Sequence, residues 1–234
     1  MVNVAWPEKL RPQSFHYFHL DADTSGGVSL GGSEQFVAAG GSRWGASMSL
    51  PIFDREGVLA MRALRSKLDG RANPAILPNF DGQRLSWPIE AETGRVLTPR
   101  VAHWLDGTRG LDDTPYAGAE IPAPAQISGT VTTTAALGAT QVSITMAQGG
   151  PIEAGQQFGV FNLRLHEISE VVSVVGAVTT VNFRPRFRSI VVAGTAINWT
   201  RPKCLMRCLN INDESRRLEL MRFTMLDLEF VEYL

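Results

Sequence analysis

Residues 43–53 read Arg43-Trp44-Gly45-Ala46-Ser47-Met48-Ser49-Leu50-Pro51-Ile52-Phe53. Trp44, Ala46, Met48, Leu50 and Ile52 alternate with Arg43, Gly45, Ser47 and Ser49, a period of two that puts the apolar set on one face of a sheet. Immediately upstream, residues 26–41 alternate less cleanly and are bounded by the paired glycines Gly26-Gly27, Gly31-Gly32 and Gly40-Gly41. Pairing the two runs predicts a hairpin over about residues 28 to 53. Downstream the period changes. Val58, Met61, Leu64 and Leu68 fall at helical spacing, with Arg62, Arg65 and Lys67 largely opposite. Asp54 stands where an N-cap belongs and Gly70 where a C-terminal glycine belongs, so an amphipathic helix of about 54–69 is expected to lie across the sheet.

Further out, residues 71–125 are dense in turn dipeptides. Short strands fit between them at 84–91 and 95–107, with Trp87 and Trp104 as core or interface aromatics. The stretch Ile121–Gln126 carries two prolines that stiffen the exit from one unit. From about residue 127 the chain turns to Thr, Val, Ala and Gly with few charges, giving five or six short β-rich runs. At the far end Leu226, Leu228 and Phe230 alternate with Asp227, Glu229 and Val231 as a half-buried strand. The expected organisation is a β unit formed by residues 1–125 and 204–234 with one flanking helix, interrupted at 126–203 by a small inserted β barrel or sandwich. The fold class is mostly β.

A formal net charge of −1 and a pI near 6.4 supply no bulk attraction to nucleic acid or to an anionic membrane. No apolar run approaches the roughly 20 residues of a membrane span, and the first residues carry no secretory pattern, so a soluble product of a cytoplasm is expected. Cys204 and Cys208, on one strand face, would lie ~13 Å apart, beyond disulfide reach, and read as buried small hydrophobes.

Asp21, Asp23, Ser25 and Gly26 match the first half of a calcium-binding loop, with Val28 at its apolar position. The second half departs: Gly32 stands at the twelfth position in place of a bidentate Glu, Glu34 comes two residues late, and residues 15–20 read as strand instead of helix. The alternative for this stretch is a polar turn. His16 and His19 fall on opposite strand faces, His103 stands alone, and His166 has only Glu167 and Glu170 for company. Carboxylates such as Glu90, Glu92, Asp112 and Asp113 are scattered among turns. No nucleophile elbow, phosphate loop, dinucleotide fingerprint or zinc signature is present. The composition and motifs therefore lead to a binding or structural protein, with no catalytic, cofactor or metal set to name. Arg184, Arg186 and Arg188 alternate in a run whose guanidinium groups share one side and need carboxylates or water before them. An inter-subunit salt bridge and a solvated loop both meet that need.

Residues 31–52 followed at once by residues 58–82 resemble the strand and helix of distal tail proteins and related tail-tip ring proteins of tailed bacteriophages. Residues 155–172, 181–188 and 197–207 resemble the β module inserted in tail proteins of the same kind. The resemblance covers roughly residues 25–85 and 150–208. It implies a β-sandwich or split barrel related to tail-tube subunits, and a homo-oligomeric ring, often a hexamer, in the virion at the tail tip. Its partners would be further copies of itself, the tail tube protein, and the tail hub and fibre proteins, with no cofactor. Such rings close through heterologous contacts between strand edges, so Trp44 in the predicted hairpin and Arg184, Arg186 and Arg188 are the expected subunit-interface residues. The rival reading is a carbohydrate- or host-surface-binding β module, which requires Trp199 or Phe161 on an outward concave face. A tail-associated hydrolase would require converging carboxylates or histidines.

Overall fold

The computed structural model describes residues 2–20, 24–28, 31–32, 34–37, 42–80, 127–161, 163–211 and 224–234. In chain order the elements are β1 (Val4–Ala5), β2 (Ser14–Leu20), β3 (Thr24–Val28), β4 (Glu34–Val37), β5 (Arg43–Ile52), α1 (Arg55–Leu68), β6 (Ala75–Pro78) and β7 (Ser128–Val131). There follow β8 (Gln141–Gln148), β9 (Gln157–Val160), β10 (Arg164–Val175), β11 (Val178–Arg184), β12 (Ala196–Asn198), β13 (Lys203–Cys208) and β14 (Thr224–Glu232). The protein is mostly β: one six-stranded sheet in the order β1-β6-β13-β14-β5-β2, one closed barrel in the order β10-β11-β8-β7-β12-β9, and a separate β3-β4 pair.

The alternation in residues 43–52 does what its period requires. Trp44, Ala46, Met48, Leu50 and Ile52 are all buried, and Leu226, Leu228 and Phe230 of β14 face the same core. Helix α1 adds Met61, Leu64 and Leu68 to it. The Asp54 carboxylate accepts from the Gly57 N–H at 2.7 Å and so satisfies one orphan donor of the first turn. At the far end Gly70 takes the left-handed conformation expected of it (φ 67°), and the residue before it joins it. That residue, Asp69 (φ 47°), donates its N–H to Arg65 O. Aspartate is among the few residues that tolerate this region.

The predicted hairpin over 28–53 does not form. β5 is flanked by β2 on one side (Phe15↔Met48, Tyr17↔Ala46) and by β14 on the other (Leu226↔Leu50, Phe230↔Ala46), while β4 pairs with β3. A ten-residue strand finds longer partners in the seven residues of β2 and the nine of β14 than in the four of β4. Between β3 and β4, Gly32 at φ 79° supplies a turn conformation that a side chain would oppose. The sheet also curls: Phe15 of β2 and Phe80 just beyond β6 come from opposite ends of the strand order, yet their ring centroids are 5.1 Å apart.

The barrel packs Phe158, Phe183, Phe187, Trp199, Ile144 and Val181 into a core of its own. Only the first part of β10 closes it, Arg164–Glu167 pairing with β9 and Ile168 bonding to Gly155 and Gln156 just before it; from there to Val175 this strand pairs, among the described residues, with β11 alone, through two register shifts. The sequence between Phe80 and Ile127, with Trp87, Trp104, His103, Glu90, Glu92, Asp112, Asp113 and the proline-rich boundary, lies outside the described residues.

Candidate functional site

The strongest concentration of polar contacts lies where barrel and sheet meet. The alternation that buries Leu226, Leu228 and Phe230 continues one step further, to Glu232, and so turns a carboxylate inward. One carboxylate oxygen accepts from the Trp44 backbone N–H at 3.1 Å, and the other from the Arg164 guanidinium at the same distance. Arg164, the first residue of β10, also donates to Tyr233 O at 2.6 Å. Next to it the Trp44 indole Nε1–H donates to Leu165 O at 2.7 Å, and Leu165 itself packs in the sheet's core. A buried, hydrogen-bonded charge pair of this kind is costly to break once formed, because either survivor is left uncompensated.

Other contacts extend the seam. The Leu205 N–H donates to Leu163 O, and Arg188 donates to Ser42 O at 2.6 Å. Asn79 donates its backbone N–H to Pro202 O and its amide to the Gln157 side chain, which in turn donates to Glu167. Gly159 is opposed to Pro202 so closely that a Cβ would stand 2.9 Å from the proline's own. Barrel and sheet are therefore held at one orientation by contacts from at least four segments of chain.

This geometry revises the role of Trp44. It is 1% exposed and is spent inside the chain, on Glu232 and Leu165, so it is not a subunit-interface residue. Its place was misread because the hairpin that would have displayed it does not exist. Arg184 and Arg186 are exposed on the barrel, alternating with the buried Phe183, Pro185 and Phe187, whereas Arg188 is half-buried at the seam. Burial lowers its guanidinium's pKa, with Glu232 opposing. Asp21 and Asp23 lie outside the described residues. Ser25 sits in β3, paired with Phe36, so it belongs to a strand ladder and not to the coil of a cation loop. Among the described residues no three ligating side chains converge.

His16 is exposed and stacks on Phe18; His19 lies against the Trp44 ring on the other face. His166 is a core residue, enclosed by Phe158, Phe183 and Phe187, with its Nδ1–H donating to Pro185 O at 2.7 Å. Burial lowers it to about 4, the Pro185 hydrogen bond opposes, and Arg164 and Arg188 add repulsion. Cys204 and Cys208 are free and buried; desolvation pushes both thiols up, Cys208 to about 11. Neither is poised as a nucleophile, since the thiolate is the reactive form. Trp199, 1% exposed, fills the barrel core and offers no face to a sugar, although Phe161 stands half-exposed nearby.

Glu232 and Arg164 were missed by sequence reading. The signal was there for Glu232, in the unbroken period of two across residues 226–232; nothing local marked Arg164 as its partner.

Two surface features remain. Among the described residues β2 is the outermost strand of the sheet, with no strand paired along its outer side, and its seven residues carry no Lys, Arg, Pro or register shift to discourage pairing there. At the opposite end of the strand order a half-open cleft of about 680 Å³ runs between the N-terminal segment and β6 and β13. No protein-family model matches this sequence, and no curated protein matches it.

Proposed function

We propose that this chain is a structural subunit of a bacteriophage tail, forming a homo-oligomeric ring at the distal tip that joins the tail tube to the hub and its fibres. The observation that carries the reading is the open outer side of β2. An unbulged edge without Lys or Arg to guard it is a template for pairing with another chain, and soluble proteins normally blunt such edges. A strand edge meeting a different surface on the next copy is a heterologous contact, which closes into a ring when the rotation allows. The seam adds a second support. A subunit that transmits position from a tube to a hub needs its two β units at a fixed angle, and Glu232, Arg164 and Trp44 hold them so. The resemblance of residues 25–85 and 150–208 to tail-tip ring proteins names the assembly, with six copies as the expected number.

Mass photometry and negative-stain microscopy of the purified chain test the reading. The expected result is a closed ring with an axial channel, which His16→Lys combined with Phe18→Lys disperses into folded monomers, because charge on two of the three exposed residues of the edge opposes pairing. A wild-type chain that stays monomeric at every concentration and is missing from purified virions sinks the ring.

A further inference from the structure

The cleft beside β1 carries an unbalanced set of charges. Its floor is apolar, made by Ile76, Pro78 and Phe80, and the buried Trp6 forms part of its wall. Arg11 on the N-terminal segment faces it from one side, and Arg201 and Lys203 line it at the start of β13. Glu8 is the one carboxylate among its described lining residues. Among the described residues, none of the three cations lies within ion-pair distance of a carboxylate; the ion pairs formed are Lys9 with Glu56 and Arg164 with Glu232. Arg201 rests over the Phe80 ring, 5.8 Å from its centroid, so its guanidinium is held at the cleft. Like charges gathered over an apolar floor repel one another and raise the local concentration of an anion.

The geometry points to this cleft as the docking site for an extended acidic segment of a partner protein, with carboxylates at alternate positions. Arg201 and Lys203 are two residues apart, and in extended chain such residues are separated by about 7 Å on one side. That is also the spacing of carboxylates at alternate positions of an extended peptide, and because Lys203 pairs with Pro78 on the face that also carries Ile76, the same side of the peptide covers the apolar floor with its side-chain methylenes. A small lone anion would engage one cation and leave the apolar floor wet. Arg11 on the facing wall meets the same negative segment from its other side. The inference goes beyond the ring and does not depend on it, since the binding can be read on a monomer or an oligomer alike.

Fluorescence anisotropy on the full chain provides the test, using a fluorescein-labelled peptide Gly-Glu-Leu-Glu-Gly amide, its Gln-for-Glu counterpart, and a labelled five-nucleotide single-stranded thymidylate. The acidic peptide is expected to bind at least about tenfold tighter than the neutral one, with affinity falling as salt rises. Lys203→Glu, and separately Arg11→Glu on a different element, should each weaken it by about tenfold, with circular dichroism unchanged. Equal binding of the acidic and neutral peptides overturns the proposal, as does indifference to both substitutions in folded protein. Tighter binding of the thymidylate reassigns the cleft to nucleic acid and overturns it too.

Discussion

The barrel and the sheet treat their strand edges in opposite ways. In the barrel, β9 returns to β10 and the ladder closes; beyond the Ile168 bonds to Gly155 and Gln156, the rest of β10 to Val175 pairs among the described residues with β11 alone, across two register shifts. Bulges of this kind twist an edge away from further pairing. The sheet stops at β2 with no such device. A closed unit and an open one, locked together through Glu232, make a subunit with a self-contained module on one side and a surface able to accept more strand on the other. Each aromatic is used differently: Trp199 fills the barrel core with its Nε1–H left without a partner among the described residues, while Trp44 in the sheet spends both its N–H groups on the junction.

The contrast breaks most severely at Glu232. Glu232→Ala leaves the Trp44 N–H without its acceptor and the half-buried Arg164 guanidinium with Tyr233 O in place of its counter-ion, and should cost about 3 to 4 kcal/mol in urea unfolding. The variant should also split a single cooperative transition into two, the barrel melting apart from the sheet. One unchanged transition would show that the seam contributes little to coupling.

Next in size is an acid sensitivity confined to the barrel. His166 is held neutral in the fold at about 4, below the ordinary imidazole value of about 6.5. The unfolded chain therefore takes up a proton that the folded chain refuses. Stability is undiminished above pH 6.5 and falls as pH drops towards 4, by about 3 kcal/mol across that window. His166→Phe, which suits the ring cage, should flatten this part of the pH profile; a profile of unchanged slope would contradict the assignment.

The smallest effect sharpens the comparison of the two tryptophans. Trp44→Phe and Trp199→Phe each leave a similar void at a site that is 1% exposed, but only the first gives up an indole hydrogen bond. Trp44→Phe should be the costlier by about 1 to 2 kcal/mol in equilibrium denaturation. Equal losses would mean that the bond to Leu165 O adds nothing net.

Much of the local structure was legible beforehand. The apolar face of β5, the turn of α1 with its Asp54 cap, the burial of both cysteines and the inward side of β14 all follow from periods of two or 3.6 within a few residues. The pairing of β5 was not legible, because residues 28–37 and residues 14–20 are both nearby candidate strands and nothing local says which will lie alongside. The misplacement of Trp44 followed from that choice. The cation cleft was equally hidden, because Arg11 lies far in sequence from Arg201 and Lys203.

By itself, then, the sequence determined which way side chains point within each element, since that depends only on backbone geometry and on which residues shun water. It also set the β-rich class and the change of style near residue 127. Tertiary structure alone decided which elements touch. The bond from Trp44 to Glu232 spans 188 positions and that from Trp44 to Leu165 spans 121, and contacts of such range are selected by the whole packed chain, not by any pattern along it.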